Sequence, residues 1–301
     1  MNLSSIWSVL EESSEILGDN YAYPAMDKIA EELSLPPDYF IWVAGIWLFG
    51  AKPFITSQYM RIFPYGLSQV NEEHFSSAIR NGYLTSAGLG SYKATERGMT
   101  AATRPFRAAN EGIAPLRPMP KETLERLVTL LARLSDVSFG MPEPPSHFIL
   151  IHKRELYRRM EMIASLDGFV AHCLELEGHR DDCYIETWGA HQVEGHAWDM
   201  LDFLSRGEAL TFDDLHDKTS RRGVTEEVHA GDVKELIGRG WVDEDSGKIQ
   251  ITSAGKQVRA EVEAETERLF FAPWSCLNES ELEELASLAS QLRDGLGNLV
   301  K

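Results

Sequence analysis

Six of the nine histidines lie between His147 and His196, together with two of the three cysteines. Within that stretch His172, Glu175, His179, Asp182, Cys183 and Glu186 follow one another at three- and four-residue steps, the spacing that stacks side chains along one face of a helix. His191, Glu194 and His196 come next, interleaved with Trp188 and Trp198. Two chemistries suit these residue types. Zinc accepts two imidazoles with a carboxylate or thiolate, although neither an HExxH nor a paired CxxC is present. A small-molecule pocket needs apolar walls and a few polar groups, and His172, Glu175, His179, Arg180, Asp182, Trp188 and His191 are its candidate lining. Both readings need the helix to run through Gly178, where a break would separate the ends of the stripe. The alternative is a set of interface histidines and helix-surface acids, with Cys173 in the core beside Phe169 and Val170.

No catalytic constellation is recognisable. Gly-x-Ser-x-Gly, a phosphate-cradling glycine loop and a dinucleotide fingerprint are all missing, so no cofactor is expected. An enzymatic reading rests only on a general base such as Glu175 or His179, which needs no sequence signature.

The elements that would position these residues are mostly helical. Helices are expected over 6–17, 26–35, 39–49, 54–70, 71–81, 99–110 (interrupted at Pro105) and 121–134. Residues 39–49 are apolar nearly all round, which suits deep core or an interface. Residues 139–145, rich in proline and glycine, read as a linker between halves 1–138 and 146–301. Beyond it helices are expected over 148–177, with a break near Gly168, and over 181–205.

Residues 209–274 then read as a winged helix. Two short helices (211–219 and 225–237) lead to Gly240-Trp241 and a hairpin with its turn at 243–247. Its return strand covers 248–252, and Thr252 caps a long helix. A final helix over 279–296 opens with Asn278 and Glu281, a capping-box pair. The first half repeats the pattern. Gly82 answers Gly240, Thr95-x-x-Gly98 answers Thr252-x-x-Gly255, Ala114-Pro115 answers Ala272-Pro273, and Leu124 answers Leu282, at an offset of 157 or 158 residues. A spacing held across a strand, a cap, a proline and a leucine helix indicates an internal duplication. The expected fold is mainly α, a tandem duplicated winged helix-turn-helix with two small β-wings and long pseudo-dimerisation helices.

The 301 residues, 43% hydrophobic and 25% charged, are enough for two globular halves. No apolar run is long enough for a membrane span. Cysteine usage and the opening Met1-Asn2-Leu3-Ser4-Ser5, which lacks the pattern of a secretion signal, make the cytoplasm the expected location. The net charge of −18, from 47 acids against 29 bases, repels the polyanionic duplex on average. The two reading helices each place a Glu pair in the first turn (Glu72-Glu73 and Glu226-Glu227), and the second wing carries Asp243-Glu244-Asp245. Lys93, Arg97, Arg221, Arg222 and Lys248 are the candidate DNA contacts, weighed against an ordinary solvated, salt-bridged surface.

At Ile251-Thr252-Ser253-Ala254-Gly255, preceded by Gly240-Trp241 and an acidic turn, the chain resembles the MarR-type winged-helix regulators. It is more similar still to a family of single chains containing two such halves. That family's Glu…Thr-Asp-Arg-Leu…Ala-Pro-Trp run is matched by Glu263, Thr266-Glu267-Arg268-Leu269 and Ala272-Pro273-Trp274. Its Arg-Gly-Asp-Gly-His string reads here Arg180-Asp181-Asp182-Cys183-Tyr184, which keeps the arginine and an acid and loses both glycines and the histidine. The resemblance implies a monomer that imitates a MarR homodimer, with a small molecule held between dimerisation helices and winged lobes. DNA is the second expected partner.

Overall fold

The computed structural model describes residues 2–36, 39–159, 165–219 and 222–300. The first half opens with α1 (Leu3–Leu17), one π turn (Gly18–Ala22) and α2 (Tyr23–Glu32), followed by α3 (Tyr39–Phe49). Next come β1 (Phe54–Ile55), α4 (Thr56–Met60), α5 (Ser68–Arg80), the hairpin β2 (Leu84–Gly88) and β3 (Ser91–Ala94), then α6 (Glu96–Ile113) and α7 (Lys121–Phe139). After a crossing segment the second half runs α8 (Phe148–Arg159), α9 (Ser165–Gly189), α10 (Gly195–Ser205), α11 (Phe212–Thr219) and α12 (Glu226–Gly238). It closes with β4 (Val242–Asp245), β5 (Lys248–Ile251), α13 (Ser253–Phe271), a 3₁₀ turn (Ala272–Cys276) and α14 (Glu279–Leu299). The chain is mainly helical with two small antiparallel sheets among the described residues.

The same devices build both hairpins. Leu89-Gly90 and Ser246-Gly247 all have φ > 0, the pair of left-handed residues that a two-residue type I′ turn requires. The acids Asp243, Glu244 and Asp245 therefore belong to a strand, and the expected five-residue turn shrinks to two. Thr95 and Thr252 each accept the amide of the residue three on, Gly98 and Gly255, as helix N-caps. Their hydroxyls also donate to the carbonyls of Gly82 and Gly240, both at 2.7 Å. Any Cβ at Gly98 or Gly255 would collide with the carbonyl of Tyr83 or Trp241, so the helix start meets the hairpin there by having no side chain. The capping box at Asn278 and Glu281 forms, with both bonds at 3.0 Å.

Three expectations are corrected. The helix expected over 54–70 is a strand, β1, pairing with β3 (Phe54 opposite Tyr92), and two separate helices. Pro105 lies inside α6 without ending it. The helices expected over 148–177 and 181–205 divide differently: α8 ends at Arg159, α9 opens at Ser165 shortly before Gly168, and α9 then runs unbroken through Gly178. Each glycine marks a helix crossing. A Cβ at Gly178 would sit 3.1 Å from the Leu150 backbone of α8, and one at Gly168 would sit 3.0 Å from Val128 of α7. A missing side chain serves close approach as well as helix termination, and here it serves approach.

Among the described residues three apolar cores result. One joins both halves: α1 packs on α14 and α9 on α7, burying Trp7, Leu10, Leu127, Leu131, Phe169, Phe270, Trp274 and Leu292. The others fill the two lobes, around Trp42, Phe54 and Phe75 in the first and around Trp198, Leu236 and Trp241 in the second. Among the described residues no helix is long and apolar enough to cross a membrane.

Candidate functional site

The stripe on α9 exists, but its members turn to different neighbours. Glu175 is buried, accepts from the Ser135 hydroxyl of α7, and pairs with Arg154 of α8 at 3.3 Å and His172 at 3.4 Å. Burial pushes its carboxyl up, and His172, Ser135 and Arg154 together hold it below the ordinary value. Asp182 is also buried, and its two oxygens accept the amides of Ile149 (2.9 Å) and Leu150 (3.0 Å), which caps the start of α8 from outside. Burial dominates its titration, raising the carboxyl to about 7. His179 is fully buried between His147 and Phe270, and burial, then His147, lowers it to about 4. Arg180 pairs with Glu263 of α13 at 2.9 Å. Trp188 and His191 stack on Trp198 in the second lobe.

The seven residues expected to line one pocket are thus distributed among a buried network, a helix cap, an inter-helix ion pair and a lobe core. Among the described residues no three His, Cys, Asp or Glu side chains converge in a way that could hold a metal ion. These side chains are engaged for a physical reason. Helix α9 is packed by α7, α8 and α13, so its polar residues meet partners where a cavity was expected.

A cavity of about 430 Å³ opens elsewhere, between the shared helices and the first lobe. Its walls come from α1, the π turn and α2 on one side, α3 and α6 on another, and α8 and α9 on a third. Four of its aromatics form a ladder: Phe40 meets Trp47 edge-on at 5.7 Å, Trp47 meets Phe106 at 5.6 Å, and Phe106 meets Tyr157 at 5.8 Å. The Trp47 indole is held by donating to the Ala102 carbonyl at 2.8 Å. Tyr23, Phe40 and Phe63 stand at the mouth, exposed to 55, 51 and 37%. The lining also carries polar groups: Glu11, Glu15 and Glu177, with Lys153. Burial lowers Lys153, and the carboxylates of Asp181 and Glu177, at 3.3 and 3.4 Å, more than reverse the effect. Burial raises Glu177, partly opposed by Lys153, and raises Glu11, partly opposed by Arg180. None of the seven expected residues lines this space. Its signal in the sequence is the all-round apolar segment 39–49, which buries Trp42 and turns Phe40 and Trp47 to the cavity.

The candidate DNA contacts are equally dispersed. Lys93 is exposed on β3, and Arg97 stacks over the Tyr83 ring at 4.7 Å. Lys248 faces Asp245 across the second wing. Arg222 is occupied by Asp199 at 2.6 Å and lies over Tyr65 at 4.8 Å, and Arg221 lies outside the described residues. Tyr65 belongs to the first lobe, so this contact joins the two lobes. A Cβ on Gly66 would sit 3.1 Å from the Arg222 carbonyl, one on Gly223 would sit 2.6 Å from Val70, and Tyr65 meets Trp188 at 6.3 Å. The segment that leads into α12 therefore rests on the start of α5. Readers that straddle a duplex stand one helical turn, about 34 Å, apart.

Residues 173–298, from the middle of α9 to the end of α14, match the model of a helix-turn-helix family. That stretch thus carries a helix-turn-helix domain, and it contains α11, α12 and the hairpin of β4 and β5. No curated protein and no solved structure matches the chain.

Proposed function

We propose that this chain is a MarR-type winged-helix protein folded as a pseudo-dimer, and that it takes up an apolar small molecule between its shared helices and its first lobe. The observation that carries the reading is the cavity of about 430 Å³, walled by aromatics and closed by a few polar groups. Small-molecule sites run from about 300 to 1,000 Å³ with this kind of lining. The pseudo-dimer is supported by an ion pair between equivalent positions. Arg126 of α7 and Glu284 of α14 are 158 residues apart, the repeat offset, and they meet at 2.6 Å, as residues beside a two-fold axis do. In this reading halves 1–138 and 146–301 are joined through 139–145, and each lends its first long helix to the other's last one.

The regulator character follows from where the cavity lies. Helix α3 supplies both a cavity wall and the core of the first lobe, and Phe63 at the mouth adjoins the turn that rests on the second lobe. A ligand in the cavity bears on that contact, and so on whether the two readers can part to meet a duplex. The alternative function, a sequestering or modifying protein that keeps the fold without reading DNA, would use the same cavity.

The test is a fluorescence titration with N-phenyl-1-naphthylamine, a neutral probe that brightens in apolar sites. Wild type is expected to bind it, and Ala109→Trp, which fills the cavity from α6, to lose at least about 90% of the signal with its melting temperature within a few degrees of wild type. Equal signal from a folded Ala109→Trp protein would remove the site.

A further inference from the structure

We infer that the occupant of this cavity is a lipophilic cation: an aromatic or branched apolar body carrying one permanent or protonated positive charge. The inference rests on the cavity being a ligand site. Its lining combines two chemistries. The mouth and one wall are aromatic, with Phe40, Trp47 and Phe106 in edge-to-face contact and bordering the space. Aromatic faces present the negative end of a quadrupole, which attracts a cation within about 6 Å of the ring centre.

The lining is also acidic. Glu11 and Glu15 lie one turn apart on α1, Glu177 faces them from α9, and the cation of the lining, Lys153, is shared between Glu177 and Asp181. Arg180, the other base near Glu11, is paired with Glu263. Among the described residues no ion pair holds Glu11 or Glu15, and Glu11 is repelled by both Glu15 and Glu177. Burial and this repulsion raise the carboxyls of Glu11 and Glu177, and a bound positive charge relieves both penalties. An anionic ligand would add a fourth negative charge to the same volume. The net charge of −18 acts in the same direction at long range, drawing cations toward the mouth and turning anions away.

The experiment uses two ions of nearly equal size and shape and opposite charge, tetraphenylphosphonium and tetraphenylborate, with neutral triphenylphosphine oxide as reference. Each is titrated calorimetrically into the full chain. The cation is expected to bind at least about tenfold more tightly than the anion, with an affinity that falls as salt is raised. The double variant Glu11→Gln/Glu15→Gln should lose about tenfold toward the cation and keep its affinity for the neutral reference. Equal or tighter binding of the anion or the neutral compound, or an unchanged cation affinity in the double variant, would overturn the charge preference while leaving the ligand site standing. Failure of all three to bind, or binding that persists in Ala109→Trp, would instead remove the site itself.

Discussion

The first and second halves of the chain enclose different interiors. In the first, Tyr23 and Phe106 border an open cavity; the positions 157 residues on are Arg180 and Glu263, which close on each other as an ion pair at 2.9 Å. Ile113 lines the cavity, and its counterpart Phe270 is fully buried in the shared core. A π turn at Gly18–Ala22 interrupts the first long helix beside the cavity, whereas α9 is α-helical throughout. Such single π turns are frequent at functional sites. The second lobe instead packs Trp188, His191, Trp198 and Trp241 together and ties Arg259 to Asp202 and Tyr184. The first half thus borders an open cavity, and the second lobe is filled by its own side chains.

The filled half can be probed through its buried titrating groups, and this is the largest expected effect. His179, lowered to about 4 from 6.5, favours the fold above pH 6.5 and loses that contribution as pH falls toward 4. Asp182, raised to about 7 from 3.8, does the reverse: it favours the fold at low pH and loses its contribution as pH rises through 7. A tenfold change in proton affinity between the folded and unfolded chain is worth about 1.4 kcal/mol, so each group contributes on the order of 3 kcal/mol. Between pH 4 and 6.5 the two oppose each other. Urea unfolding of Asp182→Asn should therefore show stability falling more steeply than wild type as pH drops from 6.5 to 4. His179→Gln should show stability rising as pH drops across the same window. Profiles parallel to wild type in both variants would mean that neither group titrates with the fold.

A smaller effect is expected where the lobes meet. Tyr65 bridges them through a tilted ring contact with Trp188 and a cation–π contact with Arg222, so Tyr65→Ala should loosen the junction between the lobes. Anisotropy with a labelled mixed-sequence duplex at low salt is expected to show tighter binding by Tyr65→Ala than by wild type, by about tenfold or less. The acidic first turn of α12 and the second wing keep the gain small. Unchanged or weaker binding would mean that the lobe contact does not restrain DNA reading.

What can be read from the residues is local. The caps at Thr95, Thr252 and Asn278, the hairpin glycines, and α3 and α14 each declare themselves within a few positions, and each forms. Gly178 is ambiguous in sequence because termination and close crossing favour the same residue, and only the neighbouring helix decides. The His-rich stripe is real as helical spacing, yet spacing cannot say whether a face meets a void or another helix. The cavity is illegible for the opposite reason: its walls come from residues as far apart as Glu11 and Glu177, and no short window contains them.

If one half, and one only, holds a ligand, bound molecules can be counted. Native mass spectrometry of the full chain with tetraphenylphosphonium or N-phenyl-1-naphthylamine does so directly. One adduct per chain is expected in wild type and none in Ala109→Trp; two equivalent adducts, or one that survives Ala109→Trp, would show that the asymmetry between the halves does not govern binding.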